Sequence, residues 1–90
     1  MARAAFLQNC IGANPVDATT IQCQYSVLYI DTDDANFPRV DSDVYADIPL
    51  NGTTGQIEVA VRDAIIARGA VLSSTAWDAS DVYQFNLRRG

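Results

Sequence analysis

The sequence predicts an α+β fold: a small antiparallel sheet with one helix packed across it, in the order β-β-α-β, and an extended N-terminal arm. Three segments alternate apolar and polar residues with the period of two that is typical of strands. Another segment, between the second and third of these, has the composition and the end residues of a helix. The chain has 90 residues, enough for about one small domain.

The first two predicted strands are separated by an Asp-rich loop. The first strand has one apolar face, made of Ile21, Cys23, Tyr25, Val27 and Tyr29. Leu28 and Ile30 make its far end apolar on the other face as well. The second strand, VYADIPL, begins at Val44 and ends near Pro49, which has no N–H to donate to a ladder. Because the loop reverses the chain, we expect the two strands to pair antiparallel.

The helix is predicted between Thr54 and Arg68. Thr53 and Gln56 have the spacing of a capping box, and Gly69 stands where a left-handed C-terminal cap is expected. The residues on one side of this helix are expected to pack on the sheet: Ile57, Ala60, Val61, Ala64 and Arg68.

The chain is predicted to consist of two parts, an N-terminal arm at residues 1–20 and a single α+β domain at residues 21–90. The domain ends with the third predicted strand, VYQFNL, at residues 82–87. In the arm, four apolar residues at helical spacing precede a turn-rich stretch: Phe6, Leu7, Cys10 and Ile11. We expect the arm to lie against another subunit; the alternative is a frayed terminus.

The net charge of −5 limits the classes of partner. It arises from 11 Asp and Glu against six Arg, with no Lys and no His. An acidic surface repels phosphate groups, so we expect no direct contact with nucleic acid and none with a membrane. The N-terminal apolar run is too short for a signal peptide, and no run approaches the ~20 residues of a membrane span. The sequence therefore predicts a soluble intracellular protein without signal peptide or transmembrane segment.

The residue types argue against catalysis, a cofactor and a metal site. Without His or Lys, the commonest general base and every Schiff-base mechanism are absent. Five aspartates cluster between the first two strands: Asp31, Asp33, Asp34, Asp41 and Asp43. Their spacing fails the EF-hand template, so the loop is interpreted as a solvated acidic loop that binds no calcium tightly. We expect no catalytic residue, no cofactor and no metal.

The two cysteines, Cys10 and Cys23, are thirteen positions apart, and no further ligand completes a zinc set. Two reduced, half-buried thiols are the preferred interpretation. A disulfide between the N-terminal segment and the first predicted strand is the alternative.

Apolar residues outside the expected core point to contact with other protein chains. Val59 and Ile66 lie almost opposite the sheet-facing side of the helix, and Trp77 stands in a polar connection where no local pattern buries it. Together with the apolar part of the arm, they form the predicted interface: Phe6, Leu7, Ile11, Val59, Ile66 and Trp77.

In overall style the chain resembles the small structural proteins of tailed-bacteriophage virions. The resemblance lies in the arm-like MARAAFLQNCIGANPVDATT, the strand IQCQYSVLYIDTD and the segment IPLNGTTGQIEVAVRDAIIARGAV. It implies a non-enzymatic protein that assembles with itself or with other virion subunits, in a capsid, neck, tail or baseplate. Two other interpretations stay open: a small acidic binding or inhibitory module that mimics nucleic acid, and a small enzyme or metal-binding domain.

Overall fold

The computed structural model describes residues 3–82. It contains three strands, β1 (Arg3–Pro15), β2 (Thr20–Asp31) and β3 (Arg39–Pro49), followed by one helix, α1 (Thr54–Ser73), and a 3₁₀ turn at Ala79–Asp81. The strands form one antiparallel sheet in the order β1-β2-β3, and α1 packs across it. The predicted α+β class is therefore confirmed.

The register of the sheet determines which residues face α1. Leu7 on β1 lies opposite Val27 on β2, and Tyr25 on β2 lies opposite Val44 on β3. These side chains share the face that α1 covers. The five largest side chains that are completely buried belong to this layer: Tyr29, Ile65, Val27, Val44 and Val61. Burial of an apolar side chain of this kind stabilises the fold by roughly 1.5–3 kcal/mol, so these five side chains are major contributors to the packing of the helix on the sheet.

The sequence predicts an arm over residues 1–20, and the structure corrects this prediction. Residues 3–15 form β1, which pairs with β2 along nearly its whole length. The register shifts between Leu7 and Asn9 and again between Cys10 and Gly12. Each bulge changes which face the following residues occupy, so β1 lacks the period-two pattern of a regular strand. The proposed boundary at residue 20 thus separates two strands of one sheet.

Arg3 connects β1 to the segment that follows the helix. Its Nε donates to Asp31 Oδ2 at 2.9 Å, and its Nη1 donates to the carbonyl of Ala76 at 2.8 Å. The guanidinium group also lies 4.8 Å from the centroid of the Trp77 ring, within the range of a cation–π contact. Because the contact with Ala76 joins residues 73 positions apart in sequence, β1 is an integral part of the domain.

The start of α1 is as predicted. The Gln56 N–H donates to Thr53 Oγ1 at 3.2 Å, and the Thr53 N–H donates to Gln56 Oε1 at 2.9 Å. These two bonds complete the capping box and satisfy two of the N–H groups that a helix start leaves without intrahelical partners.

The end of α1 differs from the prediction. The helix continues through Gly69 to Ser73, and Ser74 adopts the left-handed conformation that ends it, with φ of 60°. Gly69 is buried, and a Cβ there would lie 3.0 Å from two atoms of the Trp77 ring. The absence of a side chain at this position therefore permits close packing of Trp77 and does not end the helix.

The third predicted strand falls almost entirely outside the described residues. Val82 forms an isolated parallel bridge with Ala5 on β1; residues 83–87 lie outside the part that the structure describes. Within residues 3–82 the order of elements is β-β-β-α, since β1 precedes the two strands that the sequence indicates.

Candidate interaction surface

The face of the sheet opposite α1 carries a cluster of apolar side chains at one end. We call it the open-face patch and define it by Phe6, Leu28, Ile30 and Val40. Phe6 is directly opposite Leu28, and Leu28 is directly opposite Val40, so the cluster crosses all three strands. Val40 is 53% exposed and Phe6 37% exposed, while Leu28 and Ile30 are half-buried.

The alternation of each strand places the patch on this face. Val27 and Tyr29 point toward α1 and are completely buried, so Leu28 and Ile30 between and beyond them point the other way. On β3, Asp41 faces the helix and binds Arg68, which directs the neighbouring Val40 to the opposite face. Apolar residues on both faces of β2 are thus explained by the core on one face and the patch on the other.

The remainder of the same face is polar. Gln24 lies opposite Tyr45, and its Nε2 donates to the carbonyl of Ser42 at 2.7 Å. Closer to the middle, the Ser26 hydroxyl donates to Gln8 Oε1 at 3.1 Å. The face is therefore divided into an apolar end and a hydrogen-bonded polar end, and only the apolar end gains free energy by losing contact with water.

Each of the two buried aspartates near the patch forms an ion pair with an arginine. Arg68 donates through Nε to Asp41 Oδ2 at 2.9 Å and through Nη2 to Asp41 Oδ1 at 3.2 Å. Arg3 binds Asp31 at the end of β2. The hydrogen bond to Asp41 is the largest of the effects that raise the pKa of Arg68. Both carboxylates are thus buried and paired with an arginine of the same chain.

Asp31 has a pKa below its usual value. The backbone N–H of Asp33, which donates to Asp31 Oδ1 at 2.9 Å, is the largest cause, and the hydrogen bond from Arg3 adds to it. Both stabilise the carboxylate and outweigh the opposing effect of burial. Burial acts in the other direction on Tyr25 and Tyr29, whose phenol pKa values it raises.

Trp77, predicted as a contact residue, belongs to the core. Its ring is only 5% exposed and meets Tyr29 edge-on, with the ring centroids 5.4 Å apart. The indole N–H donates to the Ser73 hydroxyl at 2.8 Å, so its polar atom also has a partner. The local pattern does not reveal this burial because it depends on Tyr29 and Gly69, which lie on other elements.

The other predicted interface residues do not form one surface. Leu7 on β1 and Ile66 on α1 are both half-buried and pack against the core. Ile11, at the second bulge of β1, is 47% exposed, and Val59 on the outer side of α1 is 44% exposed. Of the predicted set, only Phe6 lies in the open-face patch.

Val40 is the patch residue that the sequence analysis does not identify as apolar surface. It lies between Arg39 and Asp41 in a segment rich in turn-forming residues, so the sequence there does not indicate the start of a strand. A signal for the patch is nevertheless present in the apolar Leu28 and Ile30 on the second face of β2.

Residues 3–82 contain no group of three or more cysteine or acidic side chains arranged to hold a metal ion. An open cavity of about 260 Å³ is lined by Arg3, Ala76, Asp78, Ser80 and Asp81, but its Arg3 already binds Asp31 and the Ala76 carbonyl. In the same range of residues, no helix has both the length and the apolar character that a bilayer span requires.

Comparisons with known proteins identify no relative. No family model matches the chain, and no curated protein or solved structure is significantly similar to it.

Proposed function

We propose that this chain is a non-enzymatic structural protein that assembles with copies of itself or with other protein subunits through the open-face patch. The observation that carries the proposal is the continuity of Phe6, Leu28 and Val40 across three hydrogen-bonded strands. A rigid sheet holds these side chains in fixed positions, so a partner can bury them without a large loss of conformational entropy. Large contiguous apolar patches on small proteins commonly mark protein interfaces.

The resemblance to small phage structural proteins supports a virion as the setting of this assembly. In that setting the partners are other virion subunits, in a capsid, neck, tail or baseplate. The acidic surface agrees with a protein that contacts protein neighbours, because net charge −5 opposes close approach to packaged nucleic acid.

The alternative, an acidic module that mimics nucleic acid, has less support. Such a module needs carboxylates that are spaced like phosphates and accessible to a basic partner. Asp31 and Asp41 are 4% and 5% exposed and each binds an arginine of the same chain. Two members of the acidic cluster are thus occupied within the fold.

The test compares two substitutions on the same strand and the same face of the sheet. Val40→Asp places a charge in the open-face patch, whereas Tyr45→Asp places the same charge at the polar end, where Tyr45 is 49% exposed. Size-exclusion chromatography with light scattering is expected to show an oligomer for the wild type and for Tyr45→Asp. Val40→Asp is expected to shift the chain toward the monomer, since burying an unpaired carboxylate in an apolar contact costs several kcal/mol.

Assembly with other subunits is tested by co-expression with the proteins encoded beside this chain, followed by affinity purification. Capture that Val40→Asp abolishes and Tyr45→Asp preserves supports the proposal. A wild-type chain that is monomeric at all concentrations and captures none of these proteins contradicts it, as does assembly that is equally sensitive to both substitutions.

A further inference from the structure

The two cysteines lie on neighbouring strands and on the same face of the sheet. Cys10 on β1 is directly opposite Tyr25 on β2, and Cys23 is two residues from Tyr25 along the same strand, opposite Ala13. Residues two apart on a strand share a face, so both sulfur atoms project toward the side that carries α1. The cysteines are therefore diagonal neighbours across the β1–β2 pair.

Local contacts make the two thiols neighbours on this face of the sheet. The bulge between Cys10 and Gly12 inserts one extra residue into β1 and interrupts the regular ladder beside Cys10. The Cys10 thiol donates to the Gly12 carbonyl at 3.4 Å, which directs the sulfur along β1 toward the Ala13–Cys23 pair. The Cys23 thiol has both the Cys10 thiol and the Tyr25 hydroxyl as neighbours, and burial raises the pKa of Cys23.

We propose that Cys10 and Cys23 form an oxidation site, in which a peroxide converts the two thiols to an intramolecular disulfide between β1 and β2. The exposure of the two groups assigns their roles. Cys10 is exposed and meets the oxidant, whereas Cys23 is half-buried and resolves the oxidised sulfur. The proposal is independent of the proposed function, because it concerns the opposite face of the sheet from the open-face patch.

The reaction has two balanced steps. The Cys10 thiolate attacks one oxygen of hydrogen peroxide, the O–O bond breaks, and hydroxide leaves, so that Cys10 becomes a sulfenic acid. The Cys23 sulfur then attacks the Cys10 sulfur and displaces the hydroxyl group, which leaves as water with the proton of the Cys23 thiol. Two thiols are oxidised by two electrons in total, and one peroxide is reduced. Because a disulfide requires a short sulfur–sulfur approach, the second step requires the backbone to move at the bulge beside Cys10.

The first experiment treats the reduced wild-type chain with one equivalent of hydrogen peroxide and measures its intact mass under non-reducing conditions. A monomer lighter by about 2 Da is expected, since forming one disulfide removes two hydrogens, and peptide mapping should join Cys10 to Cys23. The same reaction in guanidinium chloride should be slower by about tenfold or more, because unfolding removes the positioning of the two thiols. The oxidised monomer should also melt higher, by on the order of 10 °C.

Two variants separate the roles of the cysteines. Cys10→Ser is expected to lose the reaction, whereas Cys23→Ser should retain a Cys10 sulfenic acid that dimedone traps. The wild-type measurement decides the proposal even if Cys23→Ser folds poorly. Disulfide-linked dimers without the lighter monomer, or an equal rate in buffer and in denaturant, would overturn it.

Discussion

At the scale of single residues, Trp77 joins parts of the chain that are distant in sequence. Its ring packs on Tyr29 of β2 and on the backbone of Gly69 in α1, and Arg3 of β1 covers it. The indole N–H binds Ser73, whose hydroxyl donates in turn to the Gly69 carbonyl at 2.9 Å. The segment after the helix is thereby held against both the helix and the sheet.

Gly69→Ala is expected to destabilise the domain by about 1–3 kcal/mol. The new Cβ would lie 3.0 Å from Cγ and Cδ2 of Trp77, and a buried ring cannot move without disturbing its neighbours. The clash outweighs the gain in helix propensity, which is up to about 1 kcal/mol. Gly55→Ala is the matched control, because the nearest atom to its Cβ, Thr53 Oγ1, is 3.9 Å away. Urea unfolding measures both; equal or greater stability of Gly69→Ala would contradict the packing role.

Asp31 is expected to make stability depend on pH in the acid range. Its folded-state pKa lies below the ordinary value of 3.8, so its contribution is present above pH 3.8 and is lost as the pH falls through the folded-state pKa. Asp31→Asn should lower the urea midpoint at pH 7 and flatten its decline below pH 4. Asp47→Asn, at an exposed position on β3, controls for the loss of one negative charge. A decline as steep in Asp31→Asn as in the wild type would show that other groups cause it.

At the scale of elements, β1 contributes to the sheet, to the core and to the open-face patch. It covers one side of β2, supplies Ala5 and Leu7 to the core, and provides the Phe6 part of the open-face patch. A two-stranded sheet without it would leave β2, which carries Val27 and Tyr29, at an edge. An isolated sheet of two strands is marginal in water, so the remaining pair would depend on α1 for its stability.

Deletion of residues 1–12 is expected to unfold the domain. The truncation removes Ala5 and Leu7 from the core, most of the β1–β2 ladder and the Arg3 contacts to Asp31. Far-UV circular dichroism and Trp fluorescence should report the loss of structure. Ile11→Ser, an exposed position on the same strand, is the control and should keep the native spectrum. A truncated chain that melts cooperatively near the wild-type temperature would restore the arm interpretation.

At the scale of the whole molecule, an apolar patch and a net charge of −5 have opposite effects on self-assembly. Burial of the patch favours association, whereas the acidic surfaces of two copies repel one another. Salt weakens the repulsion and leaves apolar burial nearly unaffected or slightly stronger. Assembly of like-charged copies therefore has a different salt dependence from binding to a basic partner.

We expect self-association of this chain to strengthen as sodium chloride rises from about 20 to 500 mM, over which the Debye length falls from roughly 20 Å to 4 Å. Sedimentation velocity at several concentrations measures the shift. A module that mimics nucleic acid would show the reverse, with binding to its basic partner weakened by salt. Val40→Asp should remove the salt-enhanced association. If the association of this variant still strengthens with salt, the contact lies elsewhere on the surface.

The sequence by itself determined the features that depend on neighbouring residues. The start of α1 follows from Thr53 and Gln56, which bond to each other's backbone within a single turn. The alternation of β2 indicates its core face in the same way, because successive side chains of a strand point to opposite sides. Its apolar second face, at Leu28 and Ile30, predicts a further contact surface, which stays a prediction.

Only the tertiary structure decided the features that depend on distant contacts. β1 is a strand because it pairs with β2. Two bulges in this pairing conceal the period-two pattern of a strand in its sequence. Gly69 is a residue of the helix, and its missing side chain leaves room for the Trp77 ring. Trp77 in turn is buried against Tyr29, which is far away in sequence. The open-face patch likewise exists only through the register that sets Phe6 and Val40 on either side of Leu28. The free energy of such contacts comes from burial between elements, and residue types in a short window carry no information about it.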